Sequence, residues 1–168
     1  MPVVDDAIEE VVNGEIRIMP PNEWQHAVIV ENLARALRGM VDASEVLVVT
    51  TQFGLIIRKR PLTSRLPHLA MFVKKNIVEQ DGYIHSAPEL VVEVLSPANT
   101  RAERAEKLRD YESLRVPEVW VVSPGARTIE VLQLLEGNLR TVQVVTQGQL
   151  SPKLFPGVAV DVSAIWPD

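Results

Sequence analysis

Residues 90–95 read Leu-Val-Val-Glu-Val-Leu, the most strongly apolar run in the chain, with a carboxylate at its fourth position. Apolar residues at consecutive positions mark a strand covered on both faces. Ser96-Pro97 stops the run. Thr100 and Glu103 then have the spacing of a capping box, and a helix is expected from there to about Leu114. Val119-Trp120-Val121-Val122 is a second buried strand, closed by Ser123-Pro124-Gly125. Two such strands joined through a helix form a right-handed parallel crossover. The chain must therefore build a sheet with this pair near its centre.

The remaining elements read as additions to that unit. Asn13-Gly14, between Glu10-Val11-Val12 and Glu15-Ile16-Arg17-Ile18-Met19, is a two-residue hairpin turn. Pro20-Pro21 ends the second strand. A helix follows from about Asn22 to Val41, with apolar positions at Ala27, Val30, Leu33, Ala34, Leu37 and Met40, and with Asn22 as the expected N-cap. Strands are expected at Val46–Thr50, Phe53–Lys59 and Leu69–Val73, the last entered through Pro67, while 77–87 reads as a connection. Thr128–Leu135 and Leu139–Thr146 form a second hairpin about Gly137-Asn138, and Val158–Val162 is a short last strand. The expected fold is α/β (α+β): a mixed central sheet, two main helices and hairpins near both ends, in one domain over 1–168.

Composition excludes several kinds of chemistry. With no cysteine there is no disulfide scaffold, thiol nucleophile or Cys-ligated metal, and only three histidines are available. The opening Asp5-Asp6-Ala7-Ile8-Glu9-Glu10 is acidic where an export signal is basic, and no apolar run approaches the ~18 residues of a membrane span. A cytoplasmic location is expected. The net charge of -5 argues against general polyanion binding. It is unevenly spread, however. Residues 1–31 hold seven acids and one base, whereas 58–75 hold six bases (Arg58, Lys59, Arg60, Arg65, Lys74, Lys75) and no acid.

Glu93 is the leading candidate for chemistry. A carboxylate inside an apolar strand is costly unless it is paired, protonated or bound to a metal. Lys107 is its natural partner. If the helix folds back along the strand, Lys107 lies ~9 Å down the helix axis. Glu93 lies ~7 Å back from the strand end, a similar depth. Arg104, Lys107 and Tyr111 share one ridge, beside an apolar stripe of Ala105, Leu108 and Leu114. His68, just before the Leu69 strand, would sit near the sheet end. A buried ion pair, a solvated helix lysine and a strand-end histidine are the ordinary roles of these residues. His26, Glu31 and His85 read as structural or solvated.

These residues carry a resemblance. Asn13-Gly14-Glu15-Ile16, Met19-Pro20-Pro21, His26, Pro88-Glu89-Leu90-Val91-Val92-Glu93-Val94-Leu95-Ser96-Pro97, Lys107-Leu108, Tyr111, Val116-Pro117-Glu118-Val119-Trp120 and Phe155-Pro156-Gly157-Val158 with Asp161 resemble the Uma-type restriction endonuclease family of the PD-(D/E)XK nuclease superfamily. The resemblance implies a restriction-endonuclease-like fold and metal-dependent phosphodiester hydrolysis. It also implies catalytic roles for Glu93, Lys107 and His68, with Glu93 and His68 holding Mg²⁺ or Mn²⁺. Arg58, Lys59, Arg60, Arg65, Arg101 and Arg104 would meet a nucleic acid, most simply DNA. A homodimer would suit cutting two strands.

The sequence departs from the family pattern in two places. His68 follows Pro67 where the family has its metal-binding Asp, and Ser123 stands where an Asp usually precedes Pro124. An imidazole removes one negative charge and a hard oxygen, which disfavours Mg²⁺ relative to softer ions such as Mn²⁺. Two readings therefore stay open. One is a metal-dependent nuclease. The other is a lapsed nuclease that keeps the fold as a nucleic-acid-binding or oligomeric interaction module.

Overall fold

The computed structural model describes residues 8–50 and 53–168; the acidic stretch at Asp5 and Asp6 lies outside them. The chain opens with β1 (Ile8–Val12), β2 (Glu15–Met19), α1 (Trp24–Arg38) and β3 (Val46–Thr50). Then come β4 (Leu55–Lys59), β5 (Leu62–Arg65), β6 (Leu69–Val73), β7 (Glu79–Gln80) and β8 (Tyr83–Ile84). The third stretch holds β9 (Leu90–Val94), α2 (Arg101–Ser113), β10 (Glu118–Ser123), β11 (Thr128–Leu135) and β12 (Asn138–Val145). Two short strands, β13 (Gln149–Leu150) and β14 (Val160–Asp161), pair near the end.

The main sheet runs β12-β11-β10-β9-β6-β3. The β9–β10 pair is parallel and the other neighbours are antiparallel, so the crossover through α2 sits at the centre as expected. A second sheet, β2-β1-β5-β4-β8-β7, gathers the N-terminal hairpin with the strands that follow α1. In that hairpin Asn13 and Gly14 adopt φ of 51° and 81°, the left-handed backbone this turn requires. No helix among the described residues is long and apolar enough to cross a membrane.

Side-chain alternation on β9 divides the core. Leu90, Val92 and Val94 pack with Ile29, Leu33 and Leu37 of α1 and with Trp120. Val91 faces the other way, among Tyr111 of α2, Val121 of β10 and Leu55 of β4. Because successive strand residues point to opposite faces, Glu93 shares the α2 side with Val91.

Several expectations shift by a turn or a strand. α1 starts after Glu23, whose side chain makes no capping bond, and ends at Arg38 rather than Val41; Gly39 follows, a residue poorly suited to prolong a helix. α2 does have its capping box from Thr100 and Glu103. Its buried residues, however, are Asp110 and Tyr111, while Ala105, Leu108 and Leu114 are only half-buried. The expected apolar stripe is thus secondary to a charged one. β5 was not legible as a strand, because its buried positions are Thr63 and Arg65. Within 77–87, β7 and β8 form a small hairpin.

The second sheet is fastened to α2 by charge. Arg65 on β5 is 2% exposed and bonds Asp110 (2.8 Å from Nε) and Glu10 on β1 (3.0 Å), with Glu106 at 3.4 Å. Arg58 on β4 also reaches Asp110, at 3.1 Å, and Arg17 on β2 reaches Glu106. Removing one member of a buried ion network leaves its partners desolvated and unpaired. Arg65→Ala is therefore expected to cost about 3–5 kcal/mol in urea unfolding, with Arg65→Lys recovering part of it; a loss below about 1 kcal/mol would contradict this role.

Candidate active site

Glu93, Lys107 and His68 converge in one cleft of about 470 Å³ between α2 and the second sheet. Its floor also includes Glu10 and Arg65. Ile18, Met19 and Pro20 form one wall, Leu66 and Pro67 another, and Ser96, Ala98 and Asn99 with Leu108 the third.

Glu93 is 6% exposed, and both of its oxygens are engaged. Oε1 accepts the Tyr111 hydroxyl, and Oε2 lies 3.6 Å from Lys107 Nζ. Burial alone would raise this carboxyl. The opposing pull, led by the Lys107 ammonium, holds it well below the usual carboxylate range. Burial would likewise lower Lys107, but Glu93 on one side and Glu10, 3.7 Å away on the other, raise it instead. Burial and the adjacent Glu93 push the Tyr111 hydroxyl well up, so it remains a donor. The sequence-level depth match of Glu93 and Lys107 thus corresponds to a real contact, and Tyr111 completes the same ridge.

The histidines have a structural task here. In the β6–β9 register Leu69 faces Val92, so Val94 lies opposite Pro67, which has no N–H. Two imidazoles take up the Val94 peptide groups. The Val94 N–H donates to His68 Nδ1 at 2.9 Å, and His26 Nε2 donates to the Val94 carbonyl at 2.9 Å. The two rings meet edge to face with centroids 4.3 Å apart. His26 is therefore a buried member of the site's support, which its helix position alone did not reveal.

His68 Nδ1 also lies 2.9 Å from Glu93 Oε2. Because Nδ1 accepts the Val94 N–H, its one lone pair is already engaged. The 2.9 Å spacing is that of neighbouring ligands on a six-coordinate ion with bonds of about 2.1 Å, so His68 could join Glu93 as an oxygen and nitrogen donor set for a divalent cation only once the Val94 bond is released. Among the described residues no group of three or more His, Asp or Glu side chains is placed to hold a metal ion, so most of such an ion's sphere would belong to water or substrate.

The cations expected to meet nucleic acid do not gather here. Arg65 reaches the cleft floor, but its guanidinium is paired with Glu10, Asp110 and Glu106. Arg104 lines the cleft and is bound to Glu130. Arg58 is held by Asp110 and Asn13, and Lys59 bonds Gln80. Arg60 and Arg101 are exposed, the latter at the start of α2. Glu10 was missed in the sequence. Its only hint is its place opposite Arg17 in the hairpin.

His26 makes stability sensitive to acid. Burial holds its folded pKa down to about 4, whereas the unfolded ring protonates near 6.5. Between these values the unfolded chain binds more protons. The stability contribution is full above pH 6.5 and is lost as pH falls toward 4. Glu93, with its carboxyl depressed from 4.5, adds a further loss in more acid solution. Urea unfolding at pH 7, 5.5 and 4 should show a fall of up to about 3 kcal/mol from the histidine, flattened in His26→Gln. An equally steep fall in that variant would remove His26 as its source.

No curated protein matches the chain. The crystal structure of a putative nuclease of the DUF820 family from Anabaena variabilis ATCC 29413 superposes with a TM-score of 0.78 at 15% identity, over 95% of this chain and 90% of that one. At that identity the likeness establishes the fold, as expected from the central crossover. The family described as Uma2, putative restriction endonuclease, matches residues 4–163. With nearly the whole chain matched, the protein belongs to the Uma2 family of putative restriction endonucleases.

Proposed function

We propose that the cleft hydrolyses phosphodiester bonds in nucleic acid, with residues 1–168 acting as one domain in the cytoplasm. The observation that carries this reading is the convergence of Glu93 from β9 and Lys107 from α2 on the cleft floor. Family membership and the nuclease named as the structural neighbour support it. Glu93 Oε2 and His68 Nδ1 would hold one divalent ion, and the nitrogen donor favours Mn²⁺ over Mg²⁺. When bound, such an ion makes a nucleophile of water at neutral pH and offsets the phosphate charge.

The chain's own residues supply the rest. The Lys107 ammonium, half-buried and kept charged by Glu93 and Glu10, stabilises the charge that grows on the phosphoryl oxygens as water adds to phosphorus and the ester P–O bond breaks. Tyr111 orients the Glu93 carboxylate, and Glu10 holds Lys107 from the far side. Exposed Arg101 and Arg60 remain available to meet phosphates.

Purified protein should cut labelled nucleic acid in Mn²⁺, and Glu93→Gln or Lys107→Met should each lower the rate at least about 100-fold. Cleavage unchanged in both variants would sink the assignment.

A lapsed, binding-only site is the second reading. It is favoured by the engagement of the His68 lone pair by the Val94 N–H, a bond that must be released before His68 can ligate. If His68→Asp creates Mn²⁺-dependent cleavage that the parent lacks, the parent is lapsed; equal activity in both excludes that reading.

A further inference from the structure

If the cleft is where phosphodiesters are cut, as proposed above, we infer that its substrate is an unpaired strand rather than a duplex. The reacting groups are recessed. Glu93 is 6% exposed, and the side chains of Lys107 and His68 are 15% and 17% exposed. The cleft of about 470 Å³ falls within the range of pockets that enclose a small molecule. It has room for a nucleotide unit, whereas a rigid double helix cannot bring a phosphate down to Glu93 without unpairing.

The walls favour the same substrate. Ile18, Met19, Pro20, Leu66, Leu95 and Leu108 give an apolar lining. Ile18 is 64% exposed at its mouth. Asn22 stands on the rim, and two residues later Trp24, outside the cleft lining, opens α1 and is also 64% exposed. Apolar lining with an exposed aromatic two residues from the rim suits the faces of unstacked bases, which a paired strand keeps hidden.

Charge points the same way. Duplex binding draws on an array of free cations across the phosphate rows. Here Arg17, Arg58, Arg65 and Arg104 are each paired with Glu106, Asp110, Glu10 or Glu130. Around the cleft itself few phosphates can be neutralised at once, so affinity there must come from the bases more than from the backbone.

The test uses wild-type protein and fluorescein-labelled 12-mers, as single-stranded DNA, single-stranded RNA and duplex DNA, read by anisotropy in EDTA and in Ca²⁺. A single strand should bind at least tenfold tighter than duplex, with a log–log salt slope of about -2 or shallower. The DNA and RNA arms decide which sugar is preferred. Ile18→Ser with Trp24→Ala should weaken single-strand binding roughly tenfold. Duplex bound as tightly as either strand, a slope steeper than about -4, or no binding at all overturns the inference.

A substrate with one single-stranded arm on a duplex separates this inference from the reading beneath it. Glu93-dependent cuts confined to the arm support both. Glu93-dependent cuts inside the duplex overturn the substrate class and leave the nuclease reading standing. No cut overturns the nuclease reading, and the binding comparison then decides the other.

Discussion

A carboxylate forced into the middle of a covered strand is the constraint around which the structure is arranged. Glu93 lies on the α2 face of β9, where desolvation opposes its charge. It stays ionised because α2 delivers an ammonium and a hydroxyl to its two oxygens. α2 therefore cannot be an ordinary amphipathic helix with an apolar underside. Lys107 and Tyr111 must face the sheet, separated by the four residues that place side chains on one ridge. The polar character of α2 follows from the residue it covers.

A polar helix needs partners beyond the strand, and the second sheet provides them. Asp110 and Glu106 on α2 are matched by Arg58, Arg65 and Arg17 from three different strands. Glu10 closes the set by contacting both Arg65 and Lys107. The same charges thus join the layers and hold the cleft floor at fixed depth. This arrangement explains why two of the six bases at 58–75, Arg58 and Arg65, are spent inside the protein on Asp110, Glu10 and Glu106, while Lys59, Arg60, Lys74 and Lys75 stay exposed.

What could be read from the sequence was what depends on neighbours along the chain. The run 90–95, the capping box and Val119–Val122 place the crossover, and helix rise against strand rise places Lys107 level with Glu93. The Asn13-Gly14 turn was equally plain. Tertiary pairing between distant residues was not. Arg65 meets Asp110 and Glu10 across separations of 45 and 55 residues, so no local pattern announces it. β5 was hidden for the same reason, since its buried side chains are polar and periodicity reads polar as exposed. His26 looked like one more helix residue because its partner, the Val94 carbonyl, is 68 residues away.

Pro67 sharpens the meaning of His68. A proline opposite Val94 offers no N–H to the Val94 carbonyl, and at this end of β9 both the carbonyl and the N–H of Val94 are partnered by imidazoles. Imidazole is suited to this, since it can accept at one nitrogen and donate at the other. An aspartate at position 68 could accept from the Val94 N–H and present a second oxygen to a metal at the same time, because a carboxylate has two oxygens. Histidine has a single lone pair on Nδ1. It must choose between finishing the sheet and holding an ion beside Glu93. On the proposed nuclease reading, the histidine just before β6 therefore has its structural role and its proposed catalytic role in competition at one atom.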